Sequence, residues 1–396
     1  MNNLILNTKN QEFINKNINS EITRLILKGT PDSLVDTAEI IEQIEAKKRC
    51  KKKLPTWFSA KNIYYPNKLN IEQTSSEVTA KHKATLVTGS SLIDLTGGFG
   101  VDCFYFSKSI KEVTHCEINE NLSNIVAHNY KQLNVKNINC ISVNGIDVLK
   151  NTNKTFDWIY IDPSRRDNIK GKVFLLSDCL PNVPKFLDAY FKYSKNVIVK
   201  TSPLLDIASG IKELKHVKAI HVVAVNNEVK ELLWILEHDF INNIEIKTVN
   251  ILKQSKVHFN FYLNEESLAT NEFSKPLNYL YEPNAAILKA GAFEYIGEKL
   301  NLKKLHKHSH LYTSLDIIDF PGRAFEIEKV IKYNKKQFKQ DVKINKANIT
   351  VRNFPETVSQ IRKRLSIKDG GDYYLFFTTD MDNNKIIIVT KKTKTQ

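Results

Sequence analysis

The spacing of apolar residues changes along the 396-residue chain and separates regions of different structure. Near the N-terminus, TAEIIEQIEAKKRC (37–50) has apolar residues at helical spacing and predicts a helix. A further helix is predicted over 75–87, with Ser75 or Ser76 as its N-cap. The chain is therefore expected to begin with helices.

The middle of the chain predicts an open, mainly parallel sheet. Helical stretches separate its earlier strands, which indicates crossover connections. The last two strands have little chain between them, so an antiparallel hairpin is expected at the edge of the sheet. The predicted strands are 91–95, 112–117, 138–143, 157–161, 196–200, 219–225, 244–252 and 255–262.

From 322 onward the pattern predicts strand, helix, strand, helix and two final strands around DMDNN, where Asn383–Asn384 suits a hairpin turn. The overall expectation is an α/β protein with a helical N-terminal domain and small α+β C-terminal domains. The expected domains are helical 1–70, the sheet domain 71–262, and two small domains, 263–319 and 320–396.

The composition indicates a soluble globular protein, with 42% apolar and 26% charged residues. No apolar run approaches the roughly 18–20 residues that span a bilayer, and the N-terminus has no pattern of an export signal. The five cysteines include no C-x-x-C pair, which argues against a zinc ribbon or a disulfide framework. We therefore expect a cytoplasmic protein without a membrane partner.

The net charge of +15 is unevenly distributed. Residues 91–270 hold 21 basic and 20 acidic residues, whereas residues 271–396 hold 23 and 14. Basic flanks around a neutral centre favour a polyanionic partner, most simply nucleic acid. The alternative is biased base composition, since lysines greatly outnumber the eight arginines.

The first strand of the α/β region runs into a glycine-rich turn, LIDLTGGFGVD (92–102). Such a turn between strand and helix can bring main-chain N–H groups close to a bound cofactor. It differs from the dinucleotide fingerprint, which would need glycine at the positions of Phe99 and Asp102. A tight turn that binds nothing is the alternative.

Acidic residues follow the next two strands. Glu117, in VTHCEIN, ends the predicted strand 112–117, where a carboxylate could accept hydrogen bonds from two ribose hydroxyls, and Asp147 in VNGIDVL could accept from an adenine amino group. Either residue alone could be a solvated acid at a strand end. Together with the glycine turn they predict a nucleoside site at the carboxyl edge of the sheet.

The fourth strand leads into FDWIYIDPSRRD (156–167). Asp162 would project over the same edge, and Pro163 stops the strand. Arg165 and Arg166 follow and could bind phosphate or a stacked base. The alternative is a salt bridge to Asp167 or Asp178.

These motifs, in order and spacing, resemble class I S-adenosylmethionine-dependent methyltransferases. The closer resemblance is to a bacterial group with a helical N-terminus, a Rossmann-like methyltransferase sheet, a ferredoxin-like domain and a THUMP-like C-terminal domain. It covers nearly the whole chain, in segments such as YYPNKLNIEQTSSEVTAKHKA (64–84), VNNEVKELLW (225–234), HLYTS (310–314), FPGRAF (320–325) and LSIKDGGDYYLF (365–376). The resemblance implies S-adenosylmethionine as cofactor, held by Ser76, Glu77, Asp94, Thr96, Gly97, Gly98, Phe99, Gly100, Glu117, Ile118, Gly145, Asp147, Asp162 and Pro163.

Asp162 is the expected catalytic residue. Amino-group methyltransferases of this class carry Asp/Asn-Pro-Pro-aromatic at the fourth strand, whereas this chain has Ser164 and Arg165 in the last two places. The hydrogen-bond acceptor is kept and the stacking ring is lost. Nitrogen is therefore favoured over carbon as the target atom.

RNA, either tRNA or rRNA, is the expected substrate, because the THUMP-like resemblance and the basic flanks both favour it. DNA or a small molecule as substrate, or a catalytically silent RNA-binding protein, are the alternatives. No metal is expected, since His306, His308 and His310 alternate without a nearby acidic or cysteine ligand. The expected substrate-binding residues are Ser164, Arg165, Arg166, Arg352, Arg362, Lys363, Arg364 and Lys368.

Overall fold

The computed structural model describes residues 1–29, 34–165 and 175–393, which form two compact units. The first unit contains residues 1–219 and 230–242, and the second contains 220–229 and 243–396. Arg166 and Asp167 lie outside the described residues. Among the described residues, no helix is both long enough and apolar enough to cross a membrane.

Helices of the first unit cluster before the sheet and then alternate with its strands. They are α1 (Thr8–Lys16), α2 (Ile22–Lys28), α3 (Thr37–Lys53), α4 (Pro55–Ser59), α5 (Lys68–Gln73), α6 (Glu77–Ala84), α7 (Val101–Phe106), α8 (Glu120–Gln132), α9 (Gly145–Lys150), α10 (Val183–Tyr190) and α11 (Ile207–Glu213).

The strands up to the boundary between the units are β1 (Gly89–Asp94), β2 (Ile110–Cys116), β3 (Ile138–Ile141), β4 (Phe156–Ile161), β5 (Ser164–Arg165), β6 (Cys179–Leu180), β7 (Ser194–Thr201), β8 (Val217–Val225) and β9 (Glu228–Glu237). In the first unit they are ordered β3-β2-β1-β4-β7-β9, with β9 antiparallel to β7 and the others parallel. The short strands β5 and β6 form a separate antiparallel ribbon. The parallel sheet with crossover helices is confirmed.

One strand of this sheet, β9, was missed by the sequence prediction. The turn before it contains Asn226 and Asn227, with φ of 49° and 63°. Two successive residues of positive φ are typical of a tight hairpin turn, for which asparagine is suited. The Asn226–Asn227 pair was therefore the sequence signal for the turn before β9. The predicted antiparallel hairpin at 244–262 is a separate element.

The N-terminal helices share a core with the sheet region. Trp57 of α4 is fully buried, and its ring centroid lies 4.8 Å from that of Phe104 and 6.2 Å from that of Phe99. Ile40 and Ile44 of α3 belong to the same buried cluster. Residues 1–70 therefore lie in the same compact unit as the strands β1 to β4.

The second unit is built on a mixed sheet of order β13-β14-β12-β15-β18-β17-β16, together with the antiparallel hairpin of β10 and β11. Two buried clusters surround this sheet, one centred on Phe377 and Ile387 and the other on Phe325 and Phe376. The strands are β10 (Glu245–Ile251), β11 (Lys256–Tyr262), β12 (Tyr279–Pro283), β13 (Lys303–Lys304), β14 (Tyr312–Ser314), β15 (Gly322–Lys332), β16 (Lys346–Val351), β17 (Lys368–Thr379) and β18 (Lys385–Lys392). The helices are α12 (Leu263–Leu268), α13 (Ala285–Ala290), α14 (Tyr295–Lys299), α15 (Lys335–Asp341) and α16 (Val358–Leu365).

Candidate cofactor and substrate cleft

A large cleft opens at the carboxyl ends of β1, β2 and β4, within the first unit. Its volume is about 1560 Å³. Because parallel strands end at one edge of the sheet, side chains from distant parts of the sequence meet there. The predicted site residues that line this cleft are Asp94, Thr96, Gly97, Gly98, Phe99, Glu117, Ile118, Gly145, Asp162, Pro163 and Ser164.

The glycine turn forms the part of the cleft wall that follows β1. Gly97 N donates a hydrogen bond to Cys116 O at 2.7 Å, and Gly98 N donates to Glu117 Oε2 at 2.9 Å. Gly98 has φ +54° and Gly100 has φ +75°, a region that glycine enters without steric cost. Gly100 is buried and does not line the cleft; it is the N-cap of α7, and its carbonyl accepts a hydrogen bond from the Tyr130 hydroxyl at 2.7 Å.

Two glycines are required by close packing, Gly97 in this turn and Gly145 after β3. A Cβ on Gly97 would lie 2.3 Å from Nε2 of His115, and a Cβ on Gly145 would lie 2.6 Å from Cα of Leu95. A Cβ on Gly98 would meet only the carbonyl oxygen of Thr96, at 3.8 Å. Glycine therefore lets the loops after β1 and β3 pack tightly, while Gly98 leaves open space in front of the main chain.

Asp94 closes the end of β1 and is buried. Its Oδ1 accepts hydrogen bonds from Thr96 N at 2.8 Å and Thr96 Oγ1 at 3.2 Å, and its Oδ2 accepts from Cys103 Sγ at 3.2 Å. Burial raises the pKa of this carboxyl to about 7. Asp94 thus holds the start of the glycine turn through both of its oxygens.

The acids predicted after β2 and β3 occupy different environments. Glu117 lines the cleft and accepts from the main-chain N–H groups of Gly98 and Asn119, at 2.9 and 2.8 Å. The neighbouring Ile118 also lines the cleft and is 73% exposed. Asp147 lies on α9, is exposed, pairs with Lys150 at 3.4 Å and does not line the cleft.

The structure also removes two predicted residues from the cleft wall. Ser76 is the N-cap of α6, accepting from Thr79 N at 3.2 Å. Glu77 is buried and accepts from the hydroxyls of Thr56 and Tyr105, at 2.9 and 2.7 Å. Neither lines the cleft, and the residues just before them in the sequence do so instead: Asn70, Gln73, Thr74 and Ser75.

Asp162, at the tip of β4, is paired with a residue that sequence reasoning missed. Its Oδ2 forms an ion pair with Nζ of Lys200, the penultimate residue of β7, and its N–H donates to Thr96 Oγ1 at 2.7 Å. Burial alone would lower the pKa of Lys200. The carboxylates of Asp162, Glu231 and Asp102 outweigh burial and raise this pKa, so the ammonium stays charged.

A buried ionic cluster lies behind this pair. The Lys83 ammonium of α6 is fully buried and contacts both oxygens of Glu231 at 2.8 Å and Asp102 Oδ1 at 3.2 Å. Asp102 Oδ2 also accepts from the hydroxyls of Ser75 and Tyr160, each at 2.8 Å. Burial raises the pKa of Glu231, whereas Lys83 and Lys200 outweigh burial at Asp102 and lower its pKa.

The substrate residues predicted in the C-terminal region are mostly engaged within the second unit. Arg352 pairs with buried Glu282 at 2.7 Å, Arg364 pairs with Glu356 at 2.7 Å, and Arg362 pairs with Asp369. Lys363 and Lys368 are exposed and have no ion-pair partner in the described part of the chain. These ion pairs weaken the prediction that the three arginines bind RNA. Lys363 and Lys368 remain candidates for contact with RNA.

The alternating histidines are part of the same unit. Nδ1 of His306 lies 3.0 Å from the side-chain amide of Asn353, and the His310 ring stacks on Phe293 with centroids 3.8 Å apart. Across residues 1–29, 34–165 and 175–393, no group of three or more His, Cys, Asp or Glu residues could hold a metal ion.

Comparison with known proteins supplies the family. Residues 279–321 match a ferredoxin-like domain, and residues 322–392 match a THUMP domain-like family. No curated protein matches the chain. Among solved structures, TrmK from M. capricolum in complex with S-adenosylhomocysteine aligns with 41% of this chain and 70% of its own, at 15% identity and a TM-score of 0.33.

A solved structure from Porphyromonas gingivalis W83, provisionally named a methyltransferase, is similar over nearly the full length. It is 30% identical, with 97% of this chain and 98% of that chain covered and a TM-score of 0.89. The chain therefore belongs to the same family as the P. gingivalis protein, and it combines a class I methyltransferase fold with ferredoxin-like and THUMP-like C-terminal domains.

Proposed function

We propose that this protein transfers a methyl group from S-adenosylmethionine to a base nitrogen of structured RNA, either tRNA or rRNA. The observation that carries the proposal is the meeting of the glycine turn, Glu117 and Asp162 in one cleft at the carboxyl edge of the sheet.

The residues present fit S-adenosylmethionine as cofactor. Glu117 offers a carboxylate for ribose hydroxyls, and the exposed apolar side chain of Ile118 offers a surface for a flat ring. The open space in front of Gly98 allows close approach to the main chain. When bound, the cofactor supplies a methyl group that is attached to a sulfonium sulfur. After the transfer, the rest of the cofactor is a neutral thioether and can leave.

Asp162 would orient the target nitrogen. One of its oxygens is taken by Lys200, while the other has no hydrogen-bond partner among the described residues. That oxygen can accept a hydrogen bond from the N–H of the target and direct the nitrogen lone pair toward the methyl group. The nitrogen must lose this proton when it gains the methyl group, and the same oxygen of Asp162 would accept it. Alignment of this kind can lower the barrier by about 7–11 kcal/mol. A carboxylate acceptor supports nitrogen as the target atom.

RNA as substrate is supported by the THUMP domain-like match and by the excess of basic residues in 271–396. A target base within a helix would have to be turned out of its stack to reach the cleft. The exposed side chains of Lys363 and Lys368 can contact phosphates, which gives a salt-dependent affinity.

The test is methyl transfer from radiolabelled donor into total bacterial RNA and, in parallel, into genomic DNA. We expect label in RNA, and digestion to nucleosides should then identify the modified base. Asp162→Ala should bind donor normally and lose transfer by about a hundredfold or more, the range for a positioned acid or base. Asp162→Asn keeps an oxygen acceptor and should retain more activity.

The matched control is Asp188→Ala, at an exposed residue of α10 that pairs with Lys215 at 3.8 Å. It should transfer as the unaltered protein does. Label in DNA alone would contradict the substrate class. Full activity in Asp162→Ala would exclude this residue from the chemistry.

A further inference from the structure

A partly exposed aromatic ring, Phe186, lies in the wall of the cleft. On the same helix, Val183, Leu187 and Tyr190 are buried at helical spacing and fix its orientation. Nζ of Lys185 lies 5.7 Å from the centroid of the Phe186 ring and also lines the cleft. An accessible ring with a neighbouring cation is the usual surface on which an unpaired base stacks beside its phosphate.

The start of α10 is held next to the tip of β4. Ser164, two residues after Asp162, is paired with Leu180 in the β5–β6 ribbon. Asn182 then caps α10, accepting from Lys185 N at 3.0 Å. The turn before β6 is fixed as well, because two of its main-chain N–H groups donate to the carboxylate of Glu213, each at 2.9 Å. The β5–β6 ribbon and the cap of α10 therefore link the position of Phe186 to that of Asp162.

The ion pair of Asp162 and Lys200 provides an acceptor and a donor side by side in this cleft. Nucleobase edges present the complementary arrangement, an N–H donor next to an acceptor. The cleft volume of about 1560 Å³ also exceeds the roughly 300–1,000 Å³ typical of a pocket for one small ligand. There is room for a second ligand beside a nucleoside-sized cofactor.

We propose that the cleft contains a second subsite that takes one unpaired nucleobase, with its face on Phe186 and its edge on Asp162 and Lys200. Phe186 would supply the stacking ring that the motif lacks, because Ser164 and Arg165 stand where an aromatic residue is usual. The inference rests on the proposed function, since it specifies how the RNA base is held.

The first experiment compares Phe186→Leu with Phe191→Leu, the same change at the C-cap of the same helix. Phe191 packs on His216 and His238, with ring centroids 5.5 and 5.1 Å apart, and does not line the cleft. Phe186→Leu should weaken binding of a labelled single-stranded RNA oligonucleotide by about tenfold or more, the range for loss of one stacked base. S-adenosylhomocysteine binding should be unchanged, and Phe191→Leu should bind RNA normally.

The second readout does not depend on activity. Trp57 and Trp234 are fully buried and the partly exposed Trp158 does not line the cleft, so a Phe186→Trp variant adds an indole in the cleft that can report stacking. Adding the oligonucleotide should quench Phe186→Trp far more than the unaltered protein, and this variant should retain RNA affinity. Equal RNA affinity in Phe186→Leu and the unaltered protein would overturn the subsite. So would equal losses in both leucine variants, which would indicate a packing role.

Failure of the proposed function has a different signature. If quenching and the loss in Phe186→Leu are both observed but no RNA accepts methyl groups, the subsite stands and the reaction is wrong. If RNA is methylated equally well by Phe186→Leu at every RNA concentration, the reaction stands and the subsite is wrong.

Discussion

Glu117 illustrates how one carboxylate can serve two purposes at the strand edge. Its two oxygens accept main-chain N–H groups of Gly98 and Asn119, so it holds the glycine turn against the segment after β2. Among the described residues each oxygen accepts one hydrogen bond, so each keeps a second lone pair for a ligand in the cleft that Glu117 lines. The residue is thus both part of the loop structure and a candidate ligand for ribose hydroxyls.

Glu117→Ala should weaken S-adenosylhomocysteine binding by about 1.5–3 kcal/mol, the range for hydrogen bonds to a charged group. Glu117→Gln, which keeps one oxygen acceptor, should lose less. Asp147→Ala is the matched control, because Asp147 is exposed and does not line the cleft. Isothermal calorimetry measures all three, and an equal loss in Asp147→Ala would show that the loop after β3 binds the cofactor as the sequence predicted.

At the scale of elements, the Lys83 cluster joins α6 to α7 and to β9. The ammonium of Lys83 is fully buried between Glu231 and Asp102, and the latter also binds Ser75 and Tyr160. A buried charge is tolerated when it is paired and hydrogen-bonded, and removal of one partner leaves the other uncompensated. The segment before α6, which lines the cleft, is therefore fixed to the sheet through buried charge.

Lys83→Met should lower the free energy of unfolding by about 3–5 kcal/mol, because two buried carboxylates lose their counter-ion. Lys81→Met is the control on the same helix, since Lys81 is 62% exposed and lies 3.8 Å from Glu77. Glu77 is buried but keeps its hydrogen bonds from Thr56 and Tyr105 in this variant, so loss of the exposed Lys81 ammonium should cost only about 0–1 kcal/mol. Urea denaturation compares the two, and similar small losses would mean that the cluster contributes little to stability.

For the whole molecule, charge and chemistry lie in different parts of the chain. The cleft belongs to the first unit, whereas the exposed Lys363 and Lys368 belong to the THUMP-like region of the second. The chain passes between the units more than once, so a truncation after residue 242 would leave residues 220–229 of the second unit attached to the first. Charge reversal in the full-length protein is the cleaner test.

The double variant Lys363→Glu/Lys368→Glu should weaken RNA binding about tenfold or more at low salt and leave S-adenosylhomocysteine binding unchanged. Loss of two phosphate contacts should reduce the slope of log affinity against log salt by about 1.5. The control is Lys111→Glu/Lys154→Glu, which makes the same change in charge at the amino edge of the sheet. Equal losses in the two double variants would indicate only the effect of net charge.

Much of the fold and part of the site could be predicted from short windows of sequence. Hydrophobic periodicity and turn chemistry are local, so the sequence predicts the parallel strands, the hairpin at Asn383, with φ +63°, and a helix cap at Ser75 or Ser76, of which Ser76 is the cap in the structure. The glycine turn and Glu117 followed from their places at strand ends. The strand β9 was missed although its Asn-Asn turn was visible in the sequence.

Only the tertiary structure decided which polar side chains pair with each other across the sheet. Asp162 pairs with Lys200 from β7 and Lys83 pairs with Glu231 from β9, contacts that depend on strand order. From the sequence alone, a lysine that forms an ion pair at the end of a strand cannot be distinguished from a lysine whose side chain lies in solvent. Burial likewise turned Glu77 inward, and the β5–β6 ribbon brought Phe186 to the cleft. Residues distant in sequence interact only after the chain has packed, so spacing along the chain could not reveal these contacts.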